Sequence, residues 1–254
     1  MKERAFYRNR RIWLTGASSG IGKALVYRLH QLEAEVVITA RREELLTQLQ
    51  ADLGNERVHV FAGDVTDLCS MKDVVSRIHN TLGPIDIAIP NAGTHVFTVP
   101  EDFNSSEYMR LMNINFGGML HCIEAVLPTM LERGEGIIAP VASLAGYRGL
   151  PRAGAYGASK AAMINFLESI RFHLKPRGIG IVIVNPGFVK TPLTDKNDFR
   201  MPFLVSAEDA AREICTGIMK KKREVAFPYL FSRLLKLGRM LPAPLYERIV
   251  NYCW

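Results

Sequence analysis

The chain predicts an α/β fold: one domain on a doubly wound, seven-stranded parallel sheet flanked by helices. Three observations carry this. Strand and helix patterns alternate along nearly all of the 254 residues, the arrangement of successive strand–helix–strand units. The segments Val36-Val37-Ile38 and Ile181-Val182-Ile183-Val184 are apolar throughout, as strands buried on both faces are. A glycine-rich turn, Gly16-Ala17-Ser18-Ser19-Gly20-Ile21-Gly22, joins the first strand pattern to the first helix pattern.

In order, strands are expected near 11–15, 34–39, 57–62, 85–89, 135–142, 179–184 and 224–227, with the longest helices at about 105–131 and 155–174. Arg11 to Thr15 forms a short strand that runs into the glycine turn, and a helical pattern follows from Lys23 to Leu32. Glycines there let the backbone turn tightly and approach a pyrophosphate, whose charge the helix N-terminus favours. The second strand ends in Thr39-Ala40-Arg41-Arg42, and Glu43 and Glu44 open the next helix, at the end where acids suit the dipole. A base at that strand end accepts a ribose 2′-phosphate, where an acid would bind a free 2′-hydroxyl. The alternative is a pair of solvated arginines.

A proton-handling site is read from Tyr156 and Lys160, four residues apart, with Ser143 thirteen residues upstream. Residues i and i+4 share a helix face. Readying a phenol near neutral pH requires lowering its pKa by about three units, roughly 4 kcal/mol. One ammonium about 4 Å away supplies that order of energy at an effective dielectric of about 20.

With Asp64-Val65, Asn91-Ala92-Gly93, Asn115, and Asn185-Pro186-Gly187 running to Thr191, these residues resemble the short-chain dehydrogenase/reductase family in its single-domain form. The resemblance covers the chain to about residue 227 and implies a Rossmann fold. It also implies roles. Gly16, Ser18, Ser19, Gly20, Ile21 and Gly22 would cradle the dinucleotide, Arg41 with Arg42 would bind the 2′-phosphate of NADP(H), and Asp64 and Val65 would hold adenine. Asn91, Ala92, Gly93, Pro186, Gly187, Val189 and Thr191 would complete the cofactor site. Tyr156 would move the proton, Lys160 would lower its pKa and bind the nicotinamide ribose, Ser143 would hold the substrate oxygen, and Asn115 would anchor a proton-relaying water. Asn113 competes for that last role; Asn115 is preferred because Ile114-Asn115-Phe116-Gly117 matches the family's local pattern. No metal site is expected.

Two prolines depart from the family pattern where asparagine is usual, Pro90 before Asn91 and Pro140 before Ser143. Proline removes a ladder donor. Either the two changes are coupled, an apolar contact replacing a polar tie, or they are unrelated.

Segment 191–205 lies where the family carries its substrate lid. Phe199, Met201, Phe203 and Leu204 would give it an apolar inner surface, and Val96, Phe97, Leu144 and Tyr147 are further candidate walls. That favours a hydrophobic ketone or alcohol of steroid, retinoid, acyl or xenobiotic type. Residues 228–254 form an extension in which Leu230, Phe231, Leu234, Leu235, Leu237, Met240 and Leu241 are interleaved with Arg233, Lys236 and Arg239. This is an amphipathic helix, with Pro242 and Pro244 ending it and a second helix from Leu245 to Trp254. It covers its own pocket, meets another subunit, or lies on an anionic membrane.

The net charge of +7 includes one dense basic run, Lys220 to Arg223. Without a recognition motif, nucleic acid is not expected as a partner; an acidic acyl-carrier protein suits the charge better. Cys69, Cys122, Cys215 and Cys253 show no paired or zinc-type spacing, which suits a reducing cytoplasm. Residues 1–10 lack the apolar stretch of a signal peptide, and no run reaches the length of a spanning helix. The resemblance implies a homodimer or homotetramer. The alternative function is a dinucleotide-binding sensor or scaffold with little turnover.

Overall fold

The computed structural model describes residues 1–54, 56–195, 197–199 and 201–253, the last without its side chain. Trp254, the expected end of the final helix, and the Cys253 thiol lie outside what is described. The elements run α1 (Lys2–Tyr7), β1 (Arg11–Thr15), α2 (Gly20–Gln31), β2 (Glu35–Thr39), α3 (Glu43–Asp52), β3 (Val58–Val60), α4 (Leu68–Thr81), β4 (Ile87–Ile89), α5 (Ser105–Met112), α6 (Gly118–Arg133), β5 (Gly136–Ile138), α7 (Gly154–Leu174), β6 (Ile179–Ile181), β7 (Ile183–Pro186), α8 (Ala207–Met219), β8 (Glu224–Phe227), α9 (Tyr229–Met240) and α10 (Ala243–Cys253). Strands pair in parallel in the order β3-β2-β1-β4-β5-β6.

Strand periodicity sorts the core into two layers. Ile12, Leu14, Val36, Ile38, Ile87 and Ile89 point to one face, against Leu25 and Leu29 of α2 and Ile214 of α8. Trp13, Val37, Ala88 and Ile138 point to the other, against Val74 of α4, Val126 of α6 and Leu167 of α7. Both faces are covered, which is why these strands lack polar alternation.

Among the described residues the sheet has six strands, not the expected seven, because the strand at 179–184 divides at Val182. Val182 N donates to Ile138 O at 3.0 Å, Val184 N to Pro140 O at 3.0 Å and Ala142 N to Val184 O at 2.7 Å. The parallel ladder calls for a donor at residue 140 in between, and Pro140 has none. Pairing resumes beyond it at a Val141–Val184 bridge, and β7 pairs with β8 as a separate two-stranded parallel sheet. Pro90 interrupts the neighbouring ladder in the same way, between the bonds Ala139 N to Ala88 O (2.8 Å) and Val141 N to Pro90 O (2.9 Å).

The long helix expected at 105–131 is also divided, into α5, a π-helical turn Asn113–Gly117, and α6. By length and composition the stretch 105–133 is long and apolar enough to cross a membrane, against the expectation that no run would be. Its Met119, Cys122, Ile123, Val126 and Met130 pack in the core. Helix α1 was not foreseen. Tyr7, completely buried, donates its hydroxyl proton to Cys215 O of α8 at 2.7 Å.

Candidate active site

The strand ends carrying the sequence-predicted binding residues open on one cleft of about 480 Å³ at the carboxyl edge of the sheet. Gly16 has φ +68°, and a Cβ there would stand 2.7 Å from Ala92 Cα; one on Gly22 would stand 2.2 Å from Gly16 O. The turn is therefore packed backbone to backbone, with no room for side chains. Asn91 Nδ2 fastens it by donating to Thr15 O at 3.0 Å and Gly16 O at 3.2 Å. Thr15 Oγ1 accepts from Asn91 N and Ala92 N at 3.1 and 3.3 Å, a tie the sequence reading did not assign. Helix α2 starts beyond Ser19 with no side-chain cap, and Ser18, Ser19, Gly20 and Ile21 line the cleft. Its first amides remain available to an anion.

Arg41 and Arg42 are exposed at the mouth of the same cleft, and Arg42 Nη2 donates to Ser18 Oγ at 3.2 Å. Asp64 Oδ1 accepts from Thr66 N and Thr66 Oγ1, both at 2.9 Å, so the following turn orients the carboxylate. Val65 is buried and its carbonyl accepts from His121 Nδ1 at 2.8 Å. Gly93, Pro186, Gly187, Val189 and Thr191 line the rest, together with the unforeseen Arg110 and Ile114. On sequence alone Arg110 reads as one more surface cation of an amphipathic helix.

Tyr156 and Lys160 stand one turn apart on α7 and both border the cleft. Ser143, buried beyond β5, donates from Oγ to Pro186 O at 3.4 Å and stands close enough to the Tyr156 hydroxyl to act on its titration. Its Oγ also accepts from Ala145 N at 3.1 Å. Asn115 lies behind the cleft, fully buried in the π-helical turn, where its Oδ1 accepts from Thr94 N at 2.8 Å and its Nδ2 donates to Thr94 O and Ser159 Oγ at 3.0 Å. Asn113 is exposed. The extra residue of a π turn re-aims one side chain without ending the helix, and here that side chain is Asn115.

The electrostatics of this group differ from expectation. Lys160 Nζ donates to Val141 O at 2.9 Å and lies 5.6 Å from the Tyr156 ring centroid. That carbonyl is free because Ala92 N, the next ladder donor, has turned to Thr15. Burial disfavours the ammonium and brings the Lys160 pKa down to about 7, while burial raises the Tyr156 phenol and the Ser143 hydrogen bond opposes it in part. The sequence argument predicted a lowered phenol. Burial of the phenol outweighs the opposing influence of the Ser143 hydroxyl. At neutral pH Tyr156 holds its proton.

A second pocket, of about 110 Å³, meets the cleft at Ser143, Tyr156, Gly187, Leu193 and Thr194. Phe97, Leu144 and Phe199 line it as expected, joined by the unforeseen His95, Arg152 and Phe188 and by Phe231 and Leu235 of α9, in line with the reading that this helix covers its own pocket. His95 packs edge-on against the Tyr156 ring with centroids 4.9 Å apart. Arg152 Nη1 pairs with Asp198 at 2.6 Å and lies over the Phe97 ring, tying segment 191–205 to the pocket rim. Five expected walls are elsewhere or turned away. Tyr147 is buried with its hydroxyl on Glu224, Phe203 and Leu204 are exposed, and Met201 Sδ accepts from Asn197 Nδ2 at 3.2 Å. Val96 does not line the pocket. A loop's composition reports that it is apolar, not which way each side chain turns.

Residues 10–200 match the family model described as short chain dehydrogenase. An uncharacterized oxidoreductase of Myxococcus xanthus is 34% identical over 236 residues, which is 92% of this chain and 93% of that protein. An 11-beta-hydroxysteroid dehydrogenase-like protein 4A of Arabidopsis thaliana is 35% identical over 241 residues, 90% of this chain and 80% of that one. Among solved structures, a short chain dehydrogenase/reductase from Burkholderia phymatum in complex with NAD has a TM-score of 0.84 at 20% identity, covering 91% of this chain and 93% of that one.

Proposed function

The chain belongs to the short-chain dehydrogenase family of oxidoreductases, and on that premise we propose that it is an NADP(H)-dependent carbonyl reductase or alcohol dehydrogenase of a hydrophobic substrate. The observation that carries this is the meeting of two unlike spaces, a large polar cleft and a small apolar pocket, at Ser143 and Tyr156. The residues of the cleft fit a dinucleotide. Gly16 and Gly22 leave no room for a Cβ, α2 presents uncapped amides, and two arginines stand where the 2′ position of a ribose is read.

When bound, the nicotinamide supplies or accepts the hydride. The remaining steps belong to the chain. Ser143 Oγ and Tyr156 Oη converge on the place for a substrate oxygen, Tyr156 donates its proton there during reduction and recovers it in oxidation, and Lys160 orients the nicotinamide ribose. Asn115 ties Thr94 to Ser159 of α7, the residue before Lys160. With the phenol protonated at neutral pH, the resting site holds the proton that reduction of a carbonyl consumes. Phe97, Phe188, Phe199 and Phe231 select a bulky apolar ketone of steroid, retinoid, acyl or xenobiotic type over a sugar or polar acid. A panel of such ketones, followed by NADPH oxidation, tests the reading. Turnover lost on replacing Tyr156 by Phe supports it, and turnover retained there removes the tyrosine from the chemistry.

A further inference from the structure

We propose that the outer face of α9 and α10, with the tip of segment 191–205, docks on an anionic lipid surface. Leu230, Leu234, Leu237 and Met240 recur every three or four residues of α9, and Leu245, Ile249 and Tyr252 do so on α10; all are exposed, Met240 at 81% and Tyr252 at 92%. Each set is one helix face, left exposed among the described residues. Phe203 and Leu204 are exposed beside them, and the Phe203 ring stacks on Phe231 of α9 at 5.7 Å. Through that stack the lid segment meets α9. Phe231 and Leu235, on the inner side of the same helix, line the apolar pocket.

The pair of helices is fixed to the domain rather than trailing from it. Arg148 Nη1 donates to Gly238 O and Leu241 O at 2.7 Å and its guanidinium lies over the Tyr246 ring, while Tyr246 Oη donates to Gly149 O at 2.7 Å. Lys236 is engaged with Glu224.

Charge selects the occupant. With Lys236 engaged by Glu224, residues 229–252 leave Arg233, Arg239 and Arg248 against one acid, Glu247. A second copy docked through this face would bring like charges together in a closing interface. Anionic headgroups complement them, and an apolar face flanked by cations supplies the two signals that stable peripheral binding needs. The pocket then opens beside a phase in which apolar ketones concentrate. This stands independently of turnover, because binding is read without substrate.

The test is flotation of the whole protein with vesicles of phosphatidylcholine, and of phosphatidylcholine containing phosphatidylserine, at low and high salt. The expected result is binding to the phosphatidylserine vesicles that weakens with salt. It should fall about tenfold or more in Leu234→Glu/Leu237→Glu, and the lipid preference should be lost in Arg233→Gln/Arg239→Gln. Unchanged NADPH fluorescence titrations and melting temperatures establish that the variants are folded. Failure of the wild-type protein to float with phosphatidylserine vesicles overturns the proposal. So does equal binding to both lipids, or a wild-type dimer that light scattering shows falling to monomer in the leucine variant.

Discussion

Lys160 is the residue whose setting the sequence conveyed least. Its place one turn from Tyr156 followed from spacing, but its acceptor is a backbone carbonyl left over where two strands part, and no side-chain pattern encodes that. A measurable consequence follows from its pKa of about 7 against 10.5 when exposed. Between those values the unfolded chain holds a proton that the folded chain has released, so this residue makes stability rise with pH, by at most about 1.4 kcal/mol per unit. Below pH 7 the full cost of burying the ammonium is present. Denaturant unfolding of the wild-type protein and Lys160→Met from pH 6 to 9 should show the variant's relative advantage shrinking as pH rises; parallel curves would mean the ammonium is not desolvated. Arg41 belongs to the same scale. Arg41→Ala should weaken NADPH binding roughly 10- to 100-fold, the worth of a hydrogen bond to a charged group, and leave NADH binding unchanged. Equal losses for both nucleotides would remove its role in selection.

At the scale of elements, the glycine turn was legible because its need is steric and local. Gly22→Ala places a methyl 2.2 Å from Gly16 O, so the turn must open. Overpacking of this kind costs about 1–3 kcal/mol, and nucleotide affinity should fall with it in a fluorescence titration. An unaltered affinity would show that the turn does not shape the cleft. The apolar strands were legible too, since both faces of the sheet are covered. Their grouping was not. Pro140 was visible in the sequence, yet its effect, a missing donor opposite Val182 that splits one strand and sets β7 and β8 apart, depends on the register with β5. The π turn that buries Asn115 was equally hidden, because five residues of irregular winding leave hydrophobic periodicity almost unchanged. The preference for Asn115 over Asn113 rested on a local pattern, and burial separates the two side chains.

For the whole molecule, the alternation of strands and helices placed every predicted binding residue at one edge of the sheet, which is where such folds gather ligands. What escaped the sequence were contacts between distant segments. Examples are Tyr7 on α8 and Arg148 on the end of α9. These are set by packing among elements rather than within them. The fold accordingly offers a polar cleft and an apolar pocket with one phenol between them, and the central claim is that hydride and proton cross at that junction. The measurement that tests it most directly is NADPH and NADH titration by nucleotide fluorescence, followed by NADPH oxidation against apolar ketones for the wild-type protein and Tyr156→Phe. NADPH should bind more tightly than NADH, and turnover should fall about 10²- to 10⁴-fold in the variant while NADPH binding is kept. NADPH binding with no turnover on any ketone, or turnover that survives the loss of the phenol, would contradict it.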